Sequence, residues 1–445
     1  MIGYAIAFVE AITYQCLPAS LQAKISEQKL NRIIEYARKN CELYRKRIPE
    51  NLEKFEDIKP VTKQEIIENF DSIVTNKELK LTCILNHIKE HPGEGQLMHG
   101  KYCLSLTSGS TGKPSIVLKD SMTMERDSMA STIRNLHFTF PIATLTDPSG
   151  LSVEGAHIKR NMKRFPWLGK LMFNIDPLKP AAELIKEIRE CRPYNLIGYT
   201  SVIRLISVEM KRQGITLDVK QIFCSGETFT ESDKKMIEQA FPRAKVGALY
   251  GCTEGGVMAG PCKYGHLHVN TDLVKLEAVD PDYRPVPEGT LSRYTLLTDL
   301  SNKIQPLIRY VLDDRIKMYS SCPCGCGRPW VEPVGRTDDR LMFVTARGEV
   351  EVAPMGIILI MDEICEEGLK NFHDFQIVHH PGNLLEFRLD MFDNVSREKI
   401  FDRITEEITG LLRQSGIDQI KCILSEDRPV KTTVRGKQKR IYCHE

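Results

Sequence analysis

Two hydrophobic periods alternate through residues 181–250, and no other stretch constrains the fold as strongly. Ala181–Cys191 spaces its apolar side chains as a helix does, and Asn195–Tyr199 reads as a strand. Val202–Arg212 reads as a helix stopped by Gly214, Val219–Cys224 as a strand, Glu231–Phe241 as a helix and Val246–Tyr250 as a strand. Such alternation favours a largely parallel sheet covered by helices. Ligands of these sheets lie at the carboxyl ends of the strands. Tyr250-Gly251-Cys252-Thr253-Glu254 falls at one predicted end and Gly226-Glu227 at another.

Elsewhere the pattern is looser. Residues 25–48 place Leu30, Ile33, Ile34, Ala37, Cys41 and Tyr44 at helical spacing, with Pro49 as the stop. Thr62 and Glu65 form a capping box ahead of Ile66 and Ile67. Tyr102–Leu106 and Ser115–Leu118 read as strands on either side of a polar loop. From about 267 to 320, short strands with turns at Pro281-Asp282 and Glu288-Gly289 read as a small β subdomain. Past Gly335, Phe375–Val378 and Leu385–Leu389 read as strands, Arg397–Arg413 as an amphipathic helix and Ile420–Leu424 as a strand. That is an α+β module of about 100 residues. The expected fold class is α/β. A large N-terminal domain, residues 1–337, has mostly parallel sheets covered by helices and a β subdomain at about 260–330. A smaller, mobile α+β domain, residues 338–445, follows.

Composition narrows the functional classes. Lys plus Arg number 61 against 59 for Asp plus Glu, a net +2 that argues against a dedicated nucleic-acid binder. The opening MIGYAIAFVEAITYQCLP has no basic segment before its apolar run, and Glu10 interrupts it. It reads as a helical packing segment rather than a signal peptide or membrane span. No other run is long enough to span a bilayer, so a cytoplasmic location is expected. The 14 cysteines are below disulfide-scaffold density and are expected to be reduced.

Thr107-Ser108-Gly109-Ser110-Thr111-Gly112-Lys113-Pro114 is built to hold phosphate. Glycines let backbone N–H groups approach an anion, and hydroxyls with a lysine add donors. It is not a Walker loop: Gly109 and Gly112 are too close, and Pro114 stands where the Mg²⁺-holding hydroxyl belongs. Glu254 offers a carboxylate for Mg²⁺ on those phosphates, and Tyr250 an aromatic to flank a base.

This string resembles the phosphate-binding signature of the adenylate-forming enzymes, which include acyl-CoA synthetases, peptide-synthetase adenylation domains and luciferase. Further segments resemble the family's in the expected order. Arg309-Tyr310-Val311-Leu312-Asp313-Asp314 is similar to the segment whose final aspartate binds both ribose hydroxyls, though Leu312 replaces the usual Thr. Asp313 or Asp314 could serve, and Asp314 aligns better. Gly335-Arg336-Thr337-Asp338-Asp339 resembles the interdomain hinge, with Arg336 on the nucleotide and Asp338 as pivot. Gly226-Glu227 resembles the adenine-side loop. Residues 429–440 resemble the last motif, in which Lys437 matches the lysine that neutralises the reacting carboxylate and α-phosphate. Without the resemblance these segments read as charged surface turns and a solvated basic tail.

Tyr199-Thr200-Ser201 and the motifs together look most like the phenylacetate–CoA ligase branch, which includes coenzyme F390 synthetase and CapK-like proteins. The resemblance covers essentially the whole chain and is weakest at about 136–175. It implies ATP-dependent activation of an aromatic or arylacetic acid to acyl-AMP, then thioesterification to CoA. Lys437, Glu254 and Thr253 would be catalytic, with Mg²⁺ near Glu254. Two other readings stay open: transfer to a carrier protein, amine or hydroxyl, and a catalytically silent nucleotide-binding zinc module. A homodimer is a further expectation from the branch.

Cys262 precedes His266 and His268, and Cys322-Pro323-Cys324-Gly325-Cys326 comes farther on. Thiolate with imidazole is the donor set that tetrahedral zinc prefers. Cys262, His268, Cys322 and Cys324 are the expected ligands, with Cys326, His266 and Cys252 in reserve. Four protein ligands would make the ion structural. Zinc-bearing members of the branch carry a similar pattern; the plainer reading is reduced cysteines on loops.

Overall fold

The computed structural model describes residues 2–91, 97–107, 115–137, 139–146, 153–336, 341–346, 348–352, 354–366, 371–392, 395–430 and 440–443. In the alternating stretch, helix Ala181–Cys191 buries Leu184, Ile185 and Ile188, and helix Thr200–Gln213 ends at Gly214. Helix Glu231–Ala240 starts at a Thr230–Asp233 capping box, which satisfies amide groups the helix itself cannot pair. The strands between them are Asn195–Tyr199, Gln221–Ser225 and Lys245–Cys252.

These strands belong to a nine-stranded sheet. Its order is Asp314–Tyr319, Trp330–Arg336, Leu267–Val269, Gly256–Pro261, Lys245–Cys252, Gln221–Ser225, Asn195–Tyr199, Ile142–Leu145 and Met172–Ile175. From Met172–Ile175 to Lys245–Cys252 the pairing is parallel. From Lys245–Cys252 to Asp314–Tyr319 it is antiparallel. Strand Lys245–Cys252 serves both halves. Its first residues pair with Gln221–Ser225, and Tyr250 to Cys252 pair with Gly256–Pro261. Leu196, Ile203, Ile206, Ile222, Ile237 and Phe241 form the core between the parallel half and its helices. Each such aliphatic side chain contributes about 1.5–3 kcal/mol by leaving water.

The β segment near 267–320 divides. Leu267–Val269 and Asp314–Tyr319 extend the main sheet, while Val274–Val279, Tyr294–Asp299 and Tyr310–Leu312 form their own three-stranded antiparallel sheet. The expected N-terminal helix also divides, into Ala19–Asn40 and Glu42–Arg47, at Cys41 with φ −115° and ψ 122°. The break seats Tyr44 in the core, where its hydroxyl accepts the Ile308 amide at 2.9 Å. The opening segment is helix Ile2–Cys16, packed along helix Ser121–Arg134.

Toward the C-terminus, strands Lys421–Leu424, Leu384–Met391, Phe372–His380 and Ile441–Cys443 form a four-stranded sheet. Helix Arg397–Gln414 buries Ile404, Ile408 and Leu412 in that module's core. Val208 and Met236, from helices of the main sheet, join the same core. The expected domain boundary at 337/338 lies outside the described residues. No helix among the described residues is long and apolar enough to cross a membrane.

Candidate functional site

Of the phosphate-loop residues, Thr107 is described; Ser108, Gly109, Ser110, Thr111, Gly112 and Lys113 lie outside the described residues. The stem of the hairpin is fixed. Thr107 N–H donates to the Ser115 carbonyl at 2.9 Å, and Ser115 N–H donates to Thr107 Oγ1 at 2.8 Å. On the edge away from Tyr102–Leu106, strand Ile116–Asp120 takes side chains in place of a second neighbouring strand. Gln305 accepts the Leu118 amide and donates to the Ile116 carbonyl, and Asn302 donates to the Leu118 carbonyl. Lys119, fully buried, pairs with Asp127 at 2.7 Å and Asp299 at 3.2 Å. These contacts bring the stem to a narrow crevice lined by Ser115, Gln305, Tyr310 and Glu254.

Around it lie residues from one end of the main sheet and from strand Tyr310–Leu312 of the three-stranded sheet. Glu254 lies in the turn after Tyr250–Cys252 and is 8% exposed. Tyr310 donates its hydroxyl hydrogen to Glu254 Oε1 at 3.0 Å. Burial, then the Glu254 charge, raises the Tyr310 pKa, so the hydroxyl stays a donor. Tyr250 likewise donates to Asp314 Oδ2 at 2.8 Å. Asp314 is paired in register with Arg336 on the adjacent strand. The Arg336 guanidinium lies 3.7 Å from Asp314 and 3.6 Å from Asp313. Thr253 sits partly buried in the Glu254 turn. Gly251 admits no side chain, because a Cβ there would lie 2.4 Å from the Gly256 carbonyl oxygen.

Gly226, with φ +74°, turns the chain beyond strand Gln221–Ser225. That conformation costs a non-glycine residue roughly 1–2 kcal/mol. The turn aims Glu227 at the start of helix Thr200–Gln213, where it accepts Ser201 N–H at 2.8 Å and Ser201 Oγ–H at 3.1 Å. A carboxylate there complements the positive helix end. Tyr310, Ser201, Gln305 and Lys119 are contributors the sequence reading did not select. Tyr310 and Ser201 stood within the quoted motifs, but their partners are distant in sequence.

Lys437 and Asp338 lie outside the described residues. Arg440, three residues beyond Lys437, reaches Asp233 at 3.0 Å, at the start of helix Glu231–Ala240. Asp233 also accepts Arg204 at 2.5 Å and the Thr230 amide at 2.8 Å. Burial alone would raise the Asp233 pKa; Arg440 and Arg204 outweigh it and hold the carboxyl well below its usual range. The C-terminal module thus meets the main body close to the Gly226-Glu227 turn.

Cys262, His268, Cys322 and Cys324 have ligand atoms within 4.8 Å of one another. Two hairpin tips bring them together: the turn between Gly256–Pro261 and Leu267–Val269, and that between Asp314–Tyr319 and Trp330–Arg336. Cys262 Sγ and Cys322 Sγ are 3.9 Å apart, close to the about 3.8 Å edge of a zinc–thiolate tetrahedron. His268 Nδ1 donates to the Arg328 carbonyl at 2.9 Å, which leaves Nε2 as the lone-pair nitrogen, 3.3 Å from Cys324 Sγ. Burial keeps the imidazole pKa below its ordinary value, favouring the neutral form. Cys326 lies on the Nδ1 side of His268 at 3.1 Å, and His266 Nδ1 lies 3.2 Å from Cys322 Sγ. Cys252, held in reserve as a ligand, is in the Glu254 turn instead, where its sulfur accepts Gly255 N–H. Strand Gly256–Pro261 runs from that turn to Cys262, so the cluster stands roughly 20 Å from Glu254.

The chain shares the fold of 2-hydroxyisobutyryl-CoA ligase solved in its postadenylation state. The TM-score is 0.72 at 17% identity, over 96% of this chain and 90% of that one. That likeness defines the fold, which is one that solved CoA ligases share. Two of its sequence relatives are a phenylacetate-coenzyme A ligase and a CapK protein. The chain is 25% identical over 329 residues to the phenylacetate-coenzyme A ligase of Thermus thermophilus, over 67% of this chain and 69% of that protein. It is 25% identical over 324 residues to protein CapK of Staphylococcus aureus, over 67% and 64% respectively. The chain thus spans just under two thirds of CapK. No family model matches the chain.

Proposed function

We propose that this protein activates a carboxylic acid with ATP and passes the acyl group to coenzyme A. The observation that carries the reading is the Tyr310–Glu254 contact beside Ser115 at the hairpin stem, with Asp314, held by Tyr250 and faced by Arg336, four residues on from Tyr310. The shared fold and the ligase relative support it. An oxygen of the acid attacks the α-phosphorus, the bond to the bridging oxygen breaks, and pyrophosphate leaves. The CoA thiolate then attacks the acyl carbonyl and AMP leaves. The protein's work is to bring anions together and offset charge at phosphorus.

Asp314 would accept the ribose hydroxyls, with Tyr250 holding its carboxylate and Arg336 beside it. Hydroxyls from Thr107 to Thr111, with Lys113, would hold the β- and γ-phosphates. Gly226-Glu227 would border the adenine. Lys437 would bridge the acid and α-phosphate, then withdraw as residues 338–445 rotate about Asp338 against residues 1–337. Glu254 fits Mg²⁺, since Tyr310 occupies one oxygen and the other accepts no hydrogen bond from the described residues. Mg²⁺ there supplies positive charge on the phosphates. Cys262, His268, Cys322 and Cys324 fit zinc, which would tie the two hairpin tips together. An aromatic or arylacetic acid is the substrate class we favour. A reducing cytoplasm would keep these thiols free, and a homodimer is a compatible assembly.

A 28% identical match over 123 residues to the indoleacetate–lysine synthetase of Pseudomonas savastanoi, whose name joins an acid to an amine, favours one second reading: the same activation with a carrier-protein, amine or hydroxyl acceptor. AMP release measured with the accepted acid separates the two. Release stimulated by free CoA supports the ligase. Release indifferent to CoA refutes the CoA step and moves the assignment to the second acceptor class.

A further inference from the structure

A cavity of about 360 Å³, sharing no lining residue with the Glu254 crevice, opens between helix Ile2–Cys16, helix Ala19–Asn40 and the main body. That lies within the range of small-molecule sites. Ala7, Val9, Ala11, Leu17, Ile25 and Leu273 give it an apolar wall. Its floor and mouth carry Glu10, Asp272, Arg126 and Lys29, and Arg134, behind the lining, adds a third positive charge. Glu10 is taken by Arg126, which holds it through two hydrogen bonds of 2.7 and 3.0 Å. Asp272 is taken by Arg134 in the same two-pronged way, at 2.8 and 2.7 Å. Lys29 is the remaining charge. Its ammonium donates to a backbone carbonyl, that of Asp272, at 2.9 Å, and lies within ion-pair distance of no carboxylate among the described residues.

Lys29 is partly buried, and an ammonium that has lost part of its hydration is stabilised by an anion beside it. Here burial lowers the Lys29 pKa, and the nearby charges of Asp272 and Glu10 do not offset it. Both those acids already face arginines. One positive charge beside an apolar wall fits one kind of occupant: a monoanion with a hydrocarbon tail. Val9, 61% exposed at the mouth, and its neighbours Ile6 and Ile12 extend the apolar surface along the helix, giving the tail somewhere to lie.

We propose that this cavity binds a single-chain amphiphilic carboxylate, with its head on Lys29 and its tail along helix Ile2–Cys16. The site is separate from the adenylation crevice, and its existence does not depend on the ATP chemistry. Titration of the full chain with dodecanoate, followed by calorimetry, tests it, with dodecylammonium as the charge control. About one dodecanoate should bind per chain at this site, and dodecylammonium should not. Lys29→Gln should weaken dodecanoate roughly tenfold or more. Lys29→Glu should abolish dodecanoate binding and admit dodecylammonium. Ala11→Phe, which fills the cavity while keeping the lysine, should also displace the ligand. Dodecanoate binding unchanged in both Lys29 variants would place it elsewhere and overturn the proposal. Equal binding of dodecylammonium to the parent protein would do the same.

Discussion

At the residue scale, the candidate site is organised by tyrosines that orient acids. Tyr310 holds Glu254 and Tyr250 holds Asp314, each through one hydrogen bond. If Glu254 carries Mg²⁺ on the phosphates, Glu254→Gln removes charge at the point of reaction. Adenylation should fall roughly 10²–10³-fold, the usual effect of losing one group that stabilises the transition state. Tyr310→Phe leaves the carboxylate but frees its orientation. A hydrogen bond to a charged group contributes about 1.5–3 kcal/mol, so roughly a tenfold to hundredfold loss is expected. Single-turnover rates of acyl-AMP formation check both. Equal losses in the two variants would contradict the assigned division of labour.

At the element scale, the phosphate hairpin rests on a buried charge triad. Asp127 is pushed up to about 6, chiefly by burial, against the pull of Lys119 and with the help of Asp299. An unfolded aspartate titrates near about 4. Between about pH 4 and 6 the folded chain therefore holds a proton that the unfolded chain has released, and this group's contribution to stability falls as pH rises. Asp127→Asn removes that dependence. Thermal unfolding across this window should show the variant gaining on the parent protein as pH rises; parallel curves would contradict the burial argument. The Cys262 and Cys322 hairpins carry a second prediction. His268→Ala should drop bound zinc from about one per chain to near zero and lower Tm, while Cys326→Ser should retain the metal. Metal analysis after dialysis reads this directly, and zinc retained without His268 would refute the ligand set.

Elements were legible where local pattern and final environment agree. Ala181–Cys191 and Asn195–Tyr199 are bounded in the fold as their periodicity indicates, because a helix stripe and a strand buried on both faces leave unmixed signals. Leu267–Val269 is too short to carry a period, and its partners come from Gly256–Pro261 and Trp330–Arg336, so its place in the main sheet is set by pairing alone. For the same reason the split of the 267–320 segment between two sheets was not legible. The cysteine–histidine cluster was, because thiol and imidazole carry ligand chemistry at any register. The Tyr310–Glu254 contact was not, since 56 residues separate the partners and a tyrosine in a strand is ordinarily just β-former packing.

At the scale of the whole molecule, the C-terminal module is held to the main body by Val208, Met236 and the Arg440–Asp233 pair. Asp233 is buried, and Arg204 still faces it when Arg440 is lost, so Arg440→Gln should loosen the contact without leaving an unpaired charge. If Lys437 works from this docked position, the variant should lose adenylation several-fold while thioester formation from supplied acyl-AMP is spared. Equal losses in both half-reactions would assign the pair to general stability instead. The central claim is that the Glu254–Asp314–Arg336 crevice adenylates a carboxylic acid. Carboxylate-dependent ATP–pyrophosphate exchange over aryl, arylacetic and fatty acids tests it most directly. Exchange with one acid class, abolished by Lys437→Ala while nucleotide binding persists, is the expected result. Binding of ATP with no exchange for any acid would contradict it and favour a catalytically silent nucleotide-binding protein.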